Sequence, residues 1–242
     1  MLDLRLFQRR PVLFGVAAGW ANFMASGALI FLMPFYLQKV AGYSPREAGL
    51  IMVPGAIALA AAGAISGPLS DRFGWRIFTI GGLAVAALSL LIFSFTIEID
   101  SSLALIIPLL IVALAGNGVF NSPNNSSILA AVDRAQYGVV SALTQLVRNG
   151  ANIVSIAIAT TIVASTMASH GYPPSLDAVG SVGGAGVQQA FLAGMQRAFL
   201  VLGMLVAGGI IAASIRGKQA AAPVASPSPA SASKPTADKA GR

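Results

Sequence analysis

The sequence predicts an all-α, polytopic membrane protein with six transmembrane helices. Hydrophobic residues make up 56% of the 242 residues and charged residues only 10%. The apolar residues also fall into blocks of the roughly 20 residues that a helix needs to cross a bilayer. The blocks are rich in Gly, Ala and Leu and lack the strict alternation over about ten residues that marks a membrane barrel strand. The six blocks cover residues 12–37, 47–68, 77–97, 103–126, 138–165 and 191–214.

The chain divides into three parts. Residues 1–11 form a basic lead-in, and residues 12–215 form the membrane-spanning region. The lead-in and first block resemble a signal peptide, but the apolar stretch far exceeds the roughly 7–15 residues of such a segment. Residues 216–242 are rich in Ala, Pro, Ser and Lys. Because this composition cannot bury enough apolar surface to fold, we expect a disordered tail on the cytoplasmic side.

The second helix has a distinct start signal in the sequence. Ser44 is placed as its N-cap, Pro45 as its first residue, and Glu47 lies in its first turn. Serine caps free backbone N–H groups and proline is tolerated at the first position, so the helix is expected to begin there.

The remaining links differ in length. A short one at 98–102 joins the third and fourth helices, which are therefore expected to pack antiparallel. A polar link with Asp133 and Arg134 joins the fourth and fifth. The longest, 166–190, is rich in Gly, Pro and Ser and precedes the sixth helix.

In a membrane protein, the net charge of +7 does not indicate nucleic-acid binding. The positions of the basic residues instead indicate how the chain is oriented across the membrane. Membrane proteins keep Lys and Arg on the cytoplasmic side. With the N-terminus inside, eleven basic residues fall on that side and three on the other, which predicts that both termini are cytoplasmic. The eleven are Arg5, Arg9, Arg10, Arg72, Arg76, Arg134, Arg216, Lys218, Lys234, Lys239 and Arg242, and the three are Lys39, Arg46 and Arg197.

Composition also argues against an enzyme. The chain has no cysteine, and His170 is its one histidine, in a loop rich in Gly and Pro. An intramembrane serine protease needs a buried Ser and His pair, and a metal site needs several ligands. No catalytic residue, metal or cofactor is predicted.

Polar side chains are concentrated on three predicted helices. Spacings of three and four keep side chains on one helical face. The fifth helix has such a stripe at Ser141, Gln145, Arg148, Asn152 and Ser155, with Asn149 on its flank. The fourth helix has Asn117, Asn121, Asn124 and, beside them, Asn125, and the first has Asn22 and Ser26. The stripes predict either a solute pathway or interhelical hydrogen bonds that only hold the bundle together.

Arg148 is predicted to lie near the middle of the membrane. It follows Tyr137 by eleven residues, which places it roughly 16 Å into a core of about 30 Å. An arginine facing lipid there costs at least about 2.5 kcal/mol. We therefore expect it to face a water-filled cavity or a polar partner.

A charged loop is predicted between the second and third helices. Gly67 allows close packing there, Gly74 can take a positive φ, and Asp71 can lie against a helix N-terminus. Arg72 and Arg76 hold the loop at the cytoplasmic surface. Without further information, fixing the membrane topology could be the only role of this loop. The sequence of this loop is Gly67-Pro68-Leu69-Ser70-Asp71-Arg72-Phe73-Gly74-Trp75-Arg76.

This loop resembles the Gly-x-Leu-Ala-Asp-Arg-x-Gly-Arg-basic motif of the major facilitator superfamily, which joins the second and third helices of each six-helix half. Ser70 replaces the usual Ala, and Trp75 stands where a basic residue is usual. Other segments resemble the second half of the fourteen-helix multidrug-efflux, drug:proton antiporter branch, and together they cover residues 2–215. They are Leu2-Asp3-Leu4-Arg5-Leu6-Phe7, Pro34-Phe35-Tyr36-Leu37-Gln38, Gly42-Tyr43-Ser44-Pro45, Ala48-Gly49, Ser122-Pro123-Asn124-Asn125 and Arg148-Asn149-Gly150.

The resemblance implies a C-terminal transporter half that exports small amphipathic compounds by alternating access. In the superfamily, the first, second, fourth and fifth helices line the cavity. The substrate lies between two halves, so a second half is expected as a partner, upstream in the same chain or on another subunit. The alternatives are a half-sized homodimer, a non-transporting remnant and an assembly partner. No acidic residue is predicted inside a helix core, so proton coupling is not expected from these residues.

Overall fold

The computed structural model describes residues 10–174, 176, 179 and 184–215. The described residues form six long helices and no strand: α1 (Arg10–Phe35), α2 (Pro45–Phe73), α3 (Trp75–Thr96), α4 (Leu103–Leu129), α5 (Tyr137–Ser169) and α6 (Ala185–Ile215). All six are long and apolar enough to cross a membrane. The predicted all-α, six-helix architecture is confirmed. Residues 1–9 of the predicted lead-in and the predicted tail, 216–242, lie outside the described residues.

Several helices are longer than predicted because helical hydrogen bonding continues past the apolar blocks. A π-helical turn, Tyr36–Val40, extends α1 beyond Pro34. The first turns of α6 lie before the predicted block, and there the Gln188 side chain donates to the backbone carbonyl of Lys39 at 3.2 Å. Phe191, the first residue of the predicted block, is fully buried.

The start of α2 has the predicted cap. The Glu47 N–H donates to the Ser44 Oγ at 3.3 Å, and the Ser44 N–H donates to the Glu47 carboxylate at 2.9 Å. Each side chain therefore satisfies a backbone donor that the helix itself leaves unpaired, which is a capping box.

Replacing Ser44 by alanine should destabilise the protein by about 0.5–2 kcal/mol, because the first turn of α2 loses its cap. The measurement is the free energy of unfolding in mixed micelles, followed by circular dichroism. Ser102→Ala is the matched control, since Ser102 precedes α4 without a side-chain cap. Equal effects of the two substitutions would contradict the prediction.

The predicted charged loop is much shorter than expected. Gly67 to Phe73 are the last turns of α2, and Arg76 already belongs to α3. Only Gly74 breaks the helix, with a φ of 89°, a conformation that glycine adopts without steric cost. α3 begins at Trp75, directly after Gly74, and the expected effect of Asp71 on that N-terminus remains a prediction. The helix continues through Pro68, although proline lacks the backbone N–H of one helical hydrogen bond, and it ends at Gly74.

The helices pack in a defined order. α2 packs chiefly on α4, α4 also on α3, and α3 also on α6. α1, α5 and α6 pack against one another, and α1 also contacts α4. The expected antiparallel pairing of α3 and α4 is confirmed. α2 and α5 share no contact among the described residues, so a cleft separates them on one side of α4.

Small residues allow α2 and α4 to approach closely. A Cβ added to Gly118 of α4 would collide with the Leu59 carbonyl oxygen and lie 3.1 Å from the Gly63 nitrogen. A Cβ added to Gly67 would lie 2.9 Å from the Ser122 Oγ. Close backbone approach at small residues is the usual basis of helix association in lipid. This contact fixes one wall of the cleft.

Candidate functional site

The cleft between α2 and α5 contains an open groove of about 480 Å³. α2 forms an apolar wall, α4 forms a polar floor, and Arg148 projects from α5. No residue of α3 or α6 within the described chain lines it. We call it the α2–α4–α5 groove, and its lining is Leu59, Ala60, Gly63, Gly118, Asn121, Ser122, Asn125, Ser126, Leu129 and Arg148.

A second polar space continues this groove toward the linked ends of α4 and α5. Its volume is about 170 Å³, and it shares Asn125 and Leu129 with the larger groove. The α5 side is formed by Ser141, Thr144 and Gln145. Ser141 and Gln145 of the predicted α5 stripe therefore face the same polar space as Asn125 of α4.

Arg148 is exposed in the groove and held from two sides. Its guanidinium carbon lies 5.2 Å from the centre of the Phe23 ring of α1. It also donates to the Gln145 Oε1 at 3.2 Å. A guanidinium close to an aromatic ring gains a favourable cation–π interaction. The expectation that Arg148 faces a polar cavity agrees with this placement.

Three asparagines join into a hydrogen-bonded cluster between α1 and α4. The Asn22 amide donates to the Asn117 Oδ1 at 3.2 Å, and Asn121 donates to the same oxygen. Asn22 is completely buried and Asn117 is 6% exposed. Asn121 is half-buried and reaches the groove. The cluster thus runs from the groove floor into the bundle interior.

Asn22 also has a buried acceptor without a partner. Its Oδ1 accepts no hydrogen bond within the described chain. It borders a cavity of about 10 Å³ that Ser26 and Asn117 also line. That volume is close to the minimum that one water molecule needs.

Other predicted polar residues hold helices together. The Asn124 amide donates to the Gly15 carbonyl at 3.2 Å, and the buried Ser155 hydroxyl donates to the Met24 carbonyl. Asn152 of α5 packs closely on Gly27 of α1, where a Cβ added to the glycine would lie 3.0 Å from the Asn152 Oδ1. These contacts join α1 to α4 and to α5. For these residues, the contacts are of the second predicted kind, in which polar side chains hold the helices together and do not line a solute pathway.

The predicted residues therefore fall into separate groups. Asn121 and Arg148 line the groove, Gln145 lines the adjoining polar space, and Asn149 is exposed beside them on α5. Asn22, Asn117, Asn124 and Asn152 face the interior contacts of α1. The motif residues Gly67, Asp71, Arg72, Gly74 and Arg76 lie at the far end of α2 and the start of α3.

The family resemblance implies that the second helix lines the cavity, but the residues of the α2 wall were not predicted. Leu59, Ala60 and Gly63 line the groove, but they belong to a long run of Ala, Gly, Leu and Ile. In such a run, apolar residues that line a groove cannot be distinguished from apolar residues that face lipid. The Gly63-x-x-x-Gly67 spacing is the one available clue, because small residues at this spacing mark a close helix crossing.

No carboxylate lies in the groove among the described residues. Glu47 and Asp71 are in the end turns of α2, Glu98 and Asp100 in the link after α3, and Asp133 just before α5. This agrees with the expectation that no acidic side chain lies at mid-membrane. In the described part of the chain, the groove charge comes from Arg148.

A sequence model of the Major Facilitator Superfamily matches residues 1–156. The chain is 33% identical over 167 residues to the riboflavin transporter RibZ of Clostridioides difficile, which covers 69% of this chain and 36% of the relative. It is 32% identical over 148 residues to the multidrug efflux pump LfrA of Mycolicibacterium smegmatis, covering 60% and 29%. It is 27% identical over 207 residues to the lincomycin resistance protein LmrB of Listeria monocytogenes, covering 86% and 42%.

The chain thus spans less than half the length of these relatives. The family match covers well over half of the chain and includes the α2–α3 motif, α4 and Arg148. Together with six helices of membrane-spanning length, this establishes an integral membrane protein. The chain belongs to the Major Facilitator Superfamily.

Proposed function

We propose that this chain is one six-helix half of a transporter that exports small amphipathic compounds. The observation that carries the proposal is the α2–α4–α5 groove, where amides, hydroxyls and Arg148 face an apolar α2 wall. An exposed arginine and a row of asparagines are unfavourable against lipid. They suit a water-accessible path for compounds that combine polar and apolar parts.

The groove needs a second wall to serve as a pathway. It is open on the side between α2 and α5, and transporters of this type place the substrate between two halves that rock against each other. We propose that a second six-helix half covers this side, from the same polypeptide or from another subunit. The relatives, named for riboflavin transport, multidrug efflux and lincomycin resistance, support a small-molecule substrate.

The proposed setting is a bacterial inner membrane with both termini in the cytoplasm. The excess of basic residues that the sequence predicts on the cytoplasmic side supports this orientation. We also propose that the protein is not an enzyme and needs no cofactor, since the polar residues of the groove are amides, hydroxyls and one guanidinium.

Dye accumulation in a bacterial strain that lacks its main efflux pumps tests the function. A transporter containing this chain, together with any half encoded upstream of Met1, should lower the steady-state level of a neutral amphipathic dye such as Nile red. The comparison strain carries a stop codon within α1. Equal dye levels in the two strains would favour the alternative of a non-transporting remnant or assembly partner.

The homodimer alternative makes a different prediction for the isolated chain. The chain has no cysteine, so single cysteines can be introduced beside the groove at Ile57 of α2 and Asn149 of α5. Phe95 of α3 and Met204 of α6 are exposed control positions away from the groove. We expect all four variants to stay monomeric after oxidation in native membranes. Dimers formed at Ile57 and Asn149 but not at the controls would instead favour the homodimer.

A further inference from the structure

Arg148 gives the α2–α4–α5 groove an unbalanced positive charge. The five described acidic residues all lie near helix ends or in links, and none pairs with Arg148 in the described chain. Gln145 is the hydrogen-bonding partner of the guanidinium, and Phe23 supports its face. Neither contact neutralises the charge.

The guanidinium also keeps most of its donors free. Arginine carries five N–H donors in a fixed planar arrangement, and the bond to Gln145 uses one of them. The Phe23 ring offers no oxygen acceptor, so the other N–H groups of Arg148 have no hydrogen-bond partner in the described chain. An open guanidinium edge pairs in a bidentate way with a carboxylate, sulfonate or phosphate.

The rest of the groove suits an apolar body attached to such an anionic group. Leu59 and Ala60 form an apolar wall, and Leu129 lies near the end where the second polar space begins. Asn125 and Ser126 are exposed on α4 and offer further hydrogen-bond donors. A cationic compound would find no carboxylate among the described groove residues.

We propose that the groove selects amphipathic anions, with Arg148 binding the carboxylate, sulfonate or phosphate group and the α2 wall contacting the apolar body. This proposal rests on the transport pathway proposed above and specifies the charge of its substrates. The anionic group could belong to a soluble compound or to an anionic lipid. Both would use the same guanidinium edge.

Three dansyl probes of nearly equal size separate charge from apolar contact. Dansylglycine is anionic, dansylglycinamide is neutral and dansylethylenediamine is cationic at neutral pH. The purified full chain is placed in phosphatidylcholine nanodiscs and titrated with each probe, with dansyl fluorescence as the readout. We expect the anion to bind about tenfold more tightly than the neutral amide, as hydrogen bonds to a charged group allow.

Substitutions at Arg148 test whether this residue is the source of the preference. In Arg148→Gln the anion and the amide should bind equally, whereas Arg148→Lys should keep part of the preference because the charge remains. Arg197→Gln is the matched control. Arg197 is also an exposed arginine, but it reaches Thr166 near the other end of the bundle, and its loss should leave the preference unchanged. Size-exclusion profiles verify that each variant is folded.

The lipid source is tested by repeating the titration with phosphatidylglycerol in the nanodiscs. A loss of dansylglycine binding assigns the site to an anionic lipid headgroup, and unchanged binding assigns it to soluble anions. The proposal is overturned if the wild type has no anion preference, if no probe binds, or if Arg148→Gln retains the preference. Because binding is measured without transport, such a failure would leave a positive efflux result intact and is distinguishable from failure of the proposed function.

Discussion

Replacing Gly118 by alanine is expected to destabilise the bundle by separating two of its helices. The added Cβ would collide with the backbone carbonyl of Leu59 and press on the Gly63 nitrogen. Backbone atoms cannot rotate away as a side chain can, so α2 would have to move off α4. Overpacking of this kind costs about 1–3 kcal/mol and sometimes more.

The measurement is unfolding of the purified chain in mixed micelles of mild detergent and sodium dodecyl sulfate, followed by circular dichroism. Gly81→Ala is the matched control, because Gly81 is exposed within α3 and has no atom within 4 Å of an added Cβ. Alanine there should be neutral or stabilising by up to about 1 kcal/mol. If Gly118→Ala unfolds like the control, the close α2–α4 contact is not present in the membrane.

Replacing Ala60 by tryptophan is expected to lower dye efflux by at least about tenfold. Ala60 is exposed on the α2 wall of the groove, so the new side chain can enter the groove without displacing a packed neighbour. An indole is among the largest side chains, with about 150–250 Å² of surface to bury. It would project into the groove of about 480 Å³ and narrow it. The block is steric, so anionic, neutral and cationic compounds should all be affected.

Ala61→Trp provides the control for this substitution. Ala61 is also exposed on α2, but it lies about 100° further around the helix and does not line the groove. Equal amounts of both variants in the membrane should be verified by immunoblotting. Full efflux by Ala60→Trp in a strain where the wild type is active would exclude the groove as the pathway, whatever the charge preference of Arg148.

Much of the fold could be predicted because its signals are local. A membrane helix satisfies its own backbone within about 20 apolar residues, so the six helices follow from composition and length. The cap at Ser44 and the positive φ of Gly74 depend on residues within one turn. The predicted length of the α2–α3 connection is wrong, because charged residues can mark the exposed end of a helix as well as a loop.

The candidate site was only partly predictable. Periodicity placed Arg148 and Gln145 on one face of α5, but it could not show whether that face lines a groove or packs against another helix. Asn121 and Asn117 are four residues apart on the same face of α4. One reaches the groove, while the other is buried against Asn22 of α1. That difference depends on where α1 crosses α4.

The sequence by itself determined the fold class, the number of helices, the helices that carry polar residues, and the absence of an acidic side chain from their cores. These follow from the free energy of placing each residue in lipid, which depends on local composition. Only the tertiary structure decided that an apolar α2 wall completes the groove, that Phe23 supports Arg148, and that several asparagines join helices. Those features arise from close contacts between residues far apart in the chain, which local composition does not specify.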